Sequence, residues 1–504
     1  MADASDTLWG HPKGLYVLFF TEMWERFSFY GMRALLIFYL TKHFLFSGEQ
    51  SGLFYGAYIA LVFLSPMIGG YLADRWLGQR KAVMFGGIVI AAGHIVLGAE
   101  DILNGSPSAL PAFWLGLALI VVGTGFLKAN ISALVGQLYA QHDPRRDSAY
   151  TLFYMGINIG GAVGPIVCGL LGEMLGWSYG FGAAAIGMIL GLIVFARGKR
   201  YLLGRGEPPD PVHLARPIIG VSREWLIYAS VLPLTLLSWA LLVSPRATGV
   251  LLAAGGGLIG LALIYIAVAR LEGTERRKLL YALLLLVIQP VFWGLYEQSG
   301  SSLNLFIDNH VDRVILGFEV PASVFQSLPP LGVCLLAIPF AALWLRLARL
   351  GRTPTPLSNF GFAIIMVGAG FVVMAAAQLL VPGDQKMPLL FILLLFLCHA
   401  TGEMCLSPVG LSAMSSFAPR HMLSFLMGAW FLATAAGNFS AGVIASVIEA
   451  MGGRHGGADR AVVLDAYLRI GLVAVAIGGT VLIAGLFVGR ALRRTADRSP
   501  LAAG

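Results

Sequence analysis

Seven charged side chains lie inside stretches otherwise apolar enough to cross a bilayer: Glu22, Glu25, Arg26, Arg33, Lys128, Glu297 and Glu403. The first four sit on one helical run. At 100° per residue, with Glu22 at zero, Arg33 stands at about 20°, Arg26 at about 40°, Tyr30 at about 80° and Glu25 at about −60°. They share a face. An ionised residue at a bilayer centre costs about 2.5–3.5 kcal/mol on insertion scales, so four unpaired ones would cost on the order of 10–14 kcal/mol. The face must therefore line a polar cavity or pair internally. An inert salt-bridge cluster is the alternative to function, although ionisable groups within a membrane are functional by default. Three cations (Arg26, Arg33, Lys128) nearly balance four acids (Glu22, Glu25, Glu297, Glu403). One acid can take up a proton without stranding a charge, which is the arithmetic that a proton-coupled carrier needs.

The elements that position these groups follow from composition. Of 504 residues, 58% are hydrophobic and only 12% charged, about half the charge of a soluble protein. The chain reads as all-α and membrane-embedded. Apolar runs lie near 14–42, 51–73, 82–99, 112–135, 149–171, 178–196, 224–243, 247–269, 279–307, 322–345, 358–381, 388–415, 422–448 and 464–489. Each approaches or exceeds the roughly 20 residues of a spanning helix, predicting fourteen. The polar start, MADASDTLWGHPKG, lacks a basic segment and a cleavage motif, so no signal peptide is predicted and the first run is expected to insert and stay.

Positive charge alternates between connections. Arg75, Arg80 and Lys81, then Arg145 and Arg146, then Arg197, Lys199, Arg200 and Arg205, then Arg270, Arg276, Arg277 and Lys278, then Arg346, Arg349 and Arg352 fall on one side, with Arg490, Arg493, Arg494 and Arg498 in the tail. The intervening connections carry Glu100 and Asp101, Glu173, and the 308–319 loop with Asp308, Asp312 and Glu319 against Arg313. This asymmetry predicts both termini in the cytoplasm. It also reads the net charge of +8 as a topology signal, not a nucleic-acid footprint.

Six helices (1–196) precede a Pro- and Arg-rich linker (197–223). A two-helix hairpin without buried charge (224–270) and six more helices (271–490) follow, then a tail (491–504). Six plus six is the major-facilitator plan, with its site at the midplane between the halves. The hairpin is expected to be accessory and lipid-facing.

The stretch Glu22-Met-Trp-Glu25-Arg26-Phe27-Ser-Phe29-Tyr30-Gly31 closely resembles the ExxERFxYYG signature of the proton-dependent oligopeptide transporters. GGYLADRWLGQRK (69–81), KANISALVGQLY (128–139), FYMGINIGG (153–161), FWGLYEQSGSSLNLF (292–306), GEMCLSPVGLSAM (402–414) and MGAWFLATAAGN (427–438) are also similar to that family. The extra helix pair is a feature of bacterial members. The resemblance implies a proton-coupled symporter that imports di- and tripeptides by alternating access in a bacterial inner membrane, working as a monomer and without a cofactor. It implies that Arg26 and Lys128 bind the peptide carboxylate, with the Tyr30 hydroxyl beside them. Glu403, helped by Asn158, would take the ammonium group, and Tyr154 belongs to the same binding set. Lys128 and Glu403 would pair in the empty site. Arg33 and Glu297 would bridge the halves until Glu297 is protonated, with Glu22 and Glu25 sharing proton handling. Trp293 and Trp430 would be pocket walls or gates; core packing is the other reading of both.

Three positions depart from the family pattern. Phe29 and Phe63 stand where tyrosine is common, and FQSLPP, with Pro329, replaces the usual asparagine before a proline. These changes predict a more apolar side-chain pocket and an ammonium site that leans on Asn158 and Glu403. No histidine on the second run matches the proton site of animal relatives. His94 and His399 read as packing or helix-to-helix hydrogen bonding. Cys168, Cys334, Cys398 and Cys405 form no CxxC pair and read as packing. Gly123-Thr-Gly125 lacks a following GK[ST] and reads as close helix approach. Pro165, Pro290, Pro330 and Pro408 are expected within helices. Asp74, Arg75, Arg80 and Lys81 are expected to lock helix ends. The same scaffold could instead carry another small solute, such as nitrate or a modified amino acid. A membrane enzyme finds no metal-ligand cluster or nucleophile elbow in support.

Overall fold

A computed structural model of the chain describes residues 7–100, 106–140, 143–218, 220–383, 385–417, 422–451 and 459–497. Asp101 and Arg498, two of the charges used for orientation, lie outside the described residues. All fourteen predicted runs are helical. We number them α1 (Lys13–Phe38), α2 (Gly48–Leu77), α3 (Gln79–Glu100), α4 (Ala109–Gln137), α5 (Arg146–Met174), α6 (Trp177–Leu202), α7 (Arg223–Val243), α8 (Pro245–Ala269), α9 (Gly273–His310), α10 (Ala322–Arg349), α11 (Pro356–Leu380), α12 (Leu390–Phe417), α13 (Phe425–Met451) and α14 (Arg460–Val488). Thirteen are long and apolar enough to cross a membrane among the described residues. The other, α1, has 26 residues and is long enough at about 39 Å, but carries the four charges named above. The chain is a multi-pass membrane protein.

Two compact units form. One comprises Met1–Leu251 with Arg313–Pro330, and the other Leu252–Asp312 with Leu331–Gly504. In the first, α1 packs against α5 and α6, and α3 against α4 and α6. Small residues allow this. Gly156, Gly160 and Gly164, one turn apart on α5, face the backbone or side chains of Phe19, Met23 and Phe27 on α1. Gly123 of α4 abuts Gly86 of α3, and Gly125 abuts Ser65 of α2, so the Gly-Thr-Gly run is a helix contact. In the second unit, Gly361 and Gly368 of α11 meet Gly478 and Gly471 of α14 in the same manner. Backbones approach closely because a membrane supplies no hydrophobic drive between helices, leaving van der Waals contact to hold them.

A Cβ at Gly160 would overlap the Met23 carbonyl oxygen. Gly160→Leu is therefore expected to destabilise the detergent-purified protein by about 1–3 kcal/mol through overpacking. Gly182→Ala, where nothing lies within 4 Å, should leave the thermal midpoint unchanged. Equal midpoints for the two variants would refute the close approach of α1 and α5.

The hairpin helices α7 and α8 have only 22% and 17% of their apolar windows buried inside the protein, against 72% for α4. Their exposed faces are apolar, Leu232, Leu236, Leu258 and Leu261 among them, as lipid contact requires. At one end of the first unit, Arg145 ties the chain start to α5. It donates to the Gly10 carbonyl at 2.8 Å and pairs with Asp143 at 2.8 Å. Hydrogen bonds from Arg145 hold the Asp143 carboxyl down at about 2. Whatever stability that lowered carboxyl contributes is present above its unfolded value near 4 and lost only as pH falls through about 2. A pH response between 5 and 8 must arise elsewhere.

Candidate functional site

On α1 of the first unit, Glu22, Glu25, Arg26 and Arg33 are 2%, 1%, 3% and 5% exposed. Internal pairing of the expected kind joins Glu22, Glu25 and Arg26. Arg26 Nε lies 3.0 Å from Glu22 Oε1 and 2.5 Å from Glu25 Oε2. Two carboxylates share one guanidinium here, and Arg33 lies further along the same buried face. Lys128, half-buried on α4, is close enough for its charge to bear on Glu22. The patch thus combines carboxylates, able to hold a proton, with cations able to hold an anion.

Aromatic faces hold the cations. Lys128 Nζ stands 3.7 Å from the centroid of the Phe63 ring, Arg26 Cζ 5.5 Å from that of Phe29, and Arg33 Cζ 4.8 Å from that of Tyr30. The attraction comes from the negative face of the ring and needs no hydroxyl. Both positions where the chain departs from tyrosine therefore still serve a cation. From the sequence alone only the lost hydroxyls are visible.

Asn158 on α5 is 7% exposed and donates its amide to the Tyr154 carbonyl at 2.9 Å. Its carboxamide oxygen remains an acceptor of the kind an ammonium group needs. Tyr154 is 39% exposed on the same helix. The segment carrying the third departure packs within the first unit. Gln326 is buried and donates to the Ala34 carbonyl at 3.4 Å, and the Ser323 amide donates to Glu173 at 3.1 Å. Pro329 and Pro330 stand at the junction between a 3-10 turn, Ala322–Ser327, and the helix beginning at Leu328. Pro330 thus lies within a helix, as expected, in its first turn, where proline is tolerated.

The second unit holds Trp293, Glu297, Glu403 and Trp430. The continuous helix expected near 279–307 is broken at Glu297. It runs from Gly273 to Tyr296, continues as a 3-10 turn at Glu297–Gly300, and resumes at Ser302–His310. Glu297 is 4% exposed at that break. Polar side chains satisfy the interrupted backbone, as membrane burial demands. Gln298 donates to the Gly294 carbonyl at 2.8 Å and to the Ala441 carbonyl of α13 at 2.9 Å. Ser302 donates to Gln298 Oε1 at 2.6 Å and lies 3.0 Å from the Tyr467 hydroxyl.

Glu403, half-buried on α12, accepts a hydrogen bond from the Tyr296 hydroxyl. Tyr296 was missed by the sequence reading, although it adjoins Glu297 within the quoted FWGLYEQSG stretch. Trp430 is 5% exposed and fills the space beside Gly410, which is the packing reading. Trp293 abuts Gly437 of α13 and stacks edge-on with Tyr296 at 5.5 Å. His94 and His399 are fully buried among helices, His399 beside the Phe371 ring at 5.3 Å. His399 also stacks on the Tyr296 ring at 5.8 Å, so it packs behind the Glu403 cluster.

A family model described as the POT family matches residues 80–459. The chain is 37% identical over 463 residues to the peptide transporter YePEPT of Yersinia enterocolitica, covering 88% of this chain and 89% of that protein. It is 35% identical over 453 residues to a di-/tripeptide transporter of Lactococcus lactis subsp. lactis, covering 85% and 88%. The crystal structure of a single-residue mutant of a peptide transporter POT in complex with alafosfalin superposes with a TM-score of 0.80 at 31% identity, covering 96% of both chains.

Proposed function

This chain belongs to the POT family of transporters, and we propose that it is a proton-coupled symporter importing di- and tripeptides. POT family members are transporters, not enzymes. One observation carries the proton coupling: a buried patch in which Arg26 is shared by Glu22 and Glu25. Arg33 and Lys128 lie close to the same acids, so protonating either acid frees a cation to hold a ligand anion, and that exchange couples H⁺ to ligand.

In this reading Arg26, Lys128 and Tyr30 hold the peptide carboxylate, as charge-assisted contacts favour. Glu403, oriented by Tyr296, receives the ammonium group, with Asn158 and Tyr154 beside it. Arg33 and Glu297 form the coupling bridge, and Lys128 and Glu403 pair in the empty carrier. Trp293 bounds the pocket. The carrier works as a monomer in a bacterial inner membrane with both termini cytoplasmic, in line with the charge asymmetry of its connections.

One charge moved down 100 mV releases about 2.3 kcal/mol, enough for roughly 40-fold accumulation per proton. The test is pH-gradient-driven uptake into liposomes, with dipeptides, tripeptides, free amino acids and nitrate as competitors. Dipeptide accumulation that collapses when the gradient is dissipated, and that di- and tripeptides alone inhibit, is the expected result. Inhibition by nitrate or free amino acids but not by peptides would overturn the substrate assignment.

A further inference from the structure

Away from these clusters, the first unit contains a cavity at the basic ends of α3 and α6. It has a volume of about 480 Å³ and is lined by Arg80, Lys81, Met84, Phe85, Ile88, Lys199, Glu207, Trp225 and Tyr228. Two of its cations are already paired. Arg80 pairs with Glu207, and Lys81 with Glu224 at 2.7 Å, an acid that also accepts from the Tyr228 hydroxyl at 2.9 Å. Lys199 lies in the 3-10 turn that ends α6, is exposed, and makes no ion pair among the described residues. The rim therefore carries one uncompensated positive charge.

The other wall is apolar. Met84, Phe85 and Ile88 run down α3 from the charged end, about 10 Å from Lys81 to Ile88 along the axis. Ile88 is 52% exposed. Trp225, 66% exposed, stands edge-on to Tyr228 at 5.7 Å, the aromatic pair of a membrane–water boundary. A cation at the head, aromatic rings at the boundary and an apolar wall descending from it match one ligand chemistry: a phosphodiester joined to an acyl chain.

We propose that this cavity binds an anionic phospholipid, with its phosphate at Lys199 and an acyl chain along Met84, Phe85 and Ile88. A zwitterionic headgroup would bring its own ammonium toward Arg80, Lys81 and Lys199, so the site favours lipids without one. Basic pockets between transmembrane helices bind anionic headgroups in this way. The proposal rests on the membrane-spanning reading and is independent of which solute is carried.

The experiment uses purified full-length protein in phosphatidylcholine bilayers containing rising fractions of phosphatidylglycerol or phosphatidylcholine brominated on the acyl chain. Quenching of Trp225 is read as the difference between the parent and Trp225→Phe. The parent is expected to reach half-quenching at about fivefold lower fraction of the brominated phosphatidylglycerol, which corresponds to about 1 kcal/mol for one basic residue. Lys199→Gln should bring the two lipids to parity, and Lys199→Arg should retain the preference. Equal quenching by both lipids in the parent, or an undiminished preference in Lys199→Gln, would overturn the site. Reversal by millimolar inorganic phosphate or glycerol phosphate would reassign it to a soluble phosphate. Parallel dipeptide flux separates the two readings: flux without lipid preference rejects this site alone, and lipid preference without flux rejects peptide transport alone.

Discussion

Lys128→Ala is expected to lower dipeptide uptake at least a hundredfold, both under a pH gradient and in counterflow exchange. The ammonium stands 3.7 Å from the Phe63 ring centroid and bears on Glu22. In the proposed binding mode its removal strips the ligand carboxylate of a cation and leaves the acids of the α1 patch with one fewer partner. Losing one member of a buried charged pair costs about 3–5 kcal/mol, or two to three and a half powers of ten in binding. Lys128→Arg is expected to recover little, because a planar fork does not reproduce a compact point charge seated on a ring face. The assay is initial-rate uptake of labelled dipeptide into proteoliposomes matched for reconstituted protein. A Lys128→Ala variant that accumulates dipeptide as the parent does would remove Lys128 from the site.

Glu297→Gln should divide the activity differently. Accumulation driven by the pH gradient should fall from tens-fold to no excess over the external concentration, while counterflow exchange of dipeptide persists. Glutamine keeps the size and hydrogen bonding of a protonated glutamate but cannot release a proton. The side chain sits where the helix interrupts itself between Tyr296 and Ser302. A change in its partnerships there acts on two half-helices and not on a continuous rod, the kind of element on which transporters place coupling sites. The contrast with Lys128→Ala is the informative part: one variant loses every mode of uptake, the other only the driven mode. Driven accumulation by Glu297→Gln equal to the parent would take the coupling role away from Glu297.

The sequence alone determined the spans, because insertion into a bilayer is decided locally by some twenty apolar residues at a time. It also singled out the charged groups, since each is costly in an apolar run whatever surrounds it. The pairing of Glu22 with Arg26 was legible for the same local reason: residues four apart on a helix meet.

Other features depended on partners far along the chain. The break at Glu297–Gly300 leaves little mark in helical periodicity. It is held by Gln298 reaching the Ala441 carbonyl, 143 residues away. The seating of Lys128 on Phe63, the bond from Tyr296 to Glu403, and the docking of Gln326 on Ala34 likewise join residues that no spacing rule relates. In a membrane the choice to span is a property of each segment, but satisfying a buried carbonyl or cation requires whichever side chain the tertiary fold brings within about 3–4 Å, and only the folded chain decides which one that is.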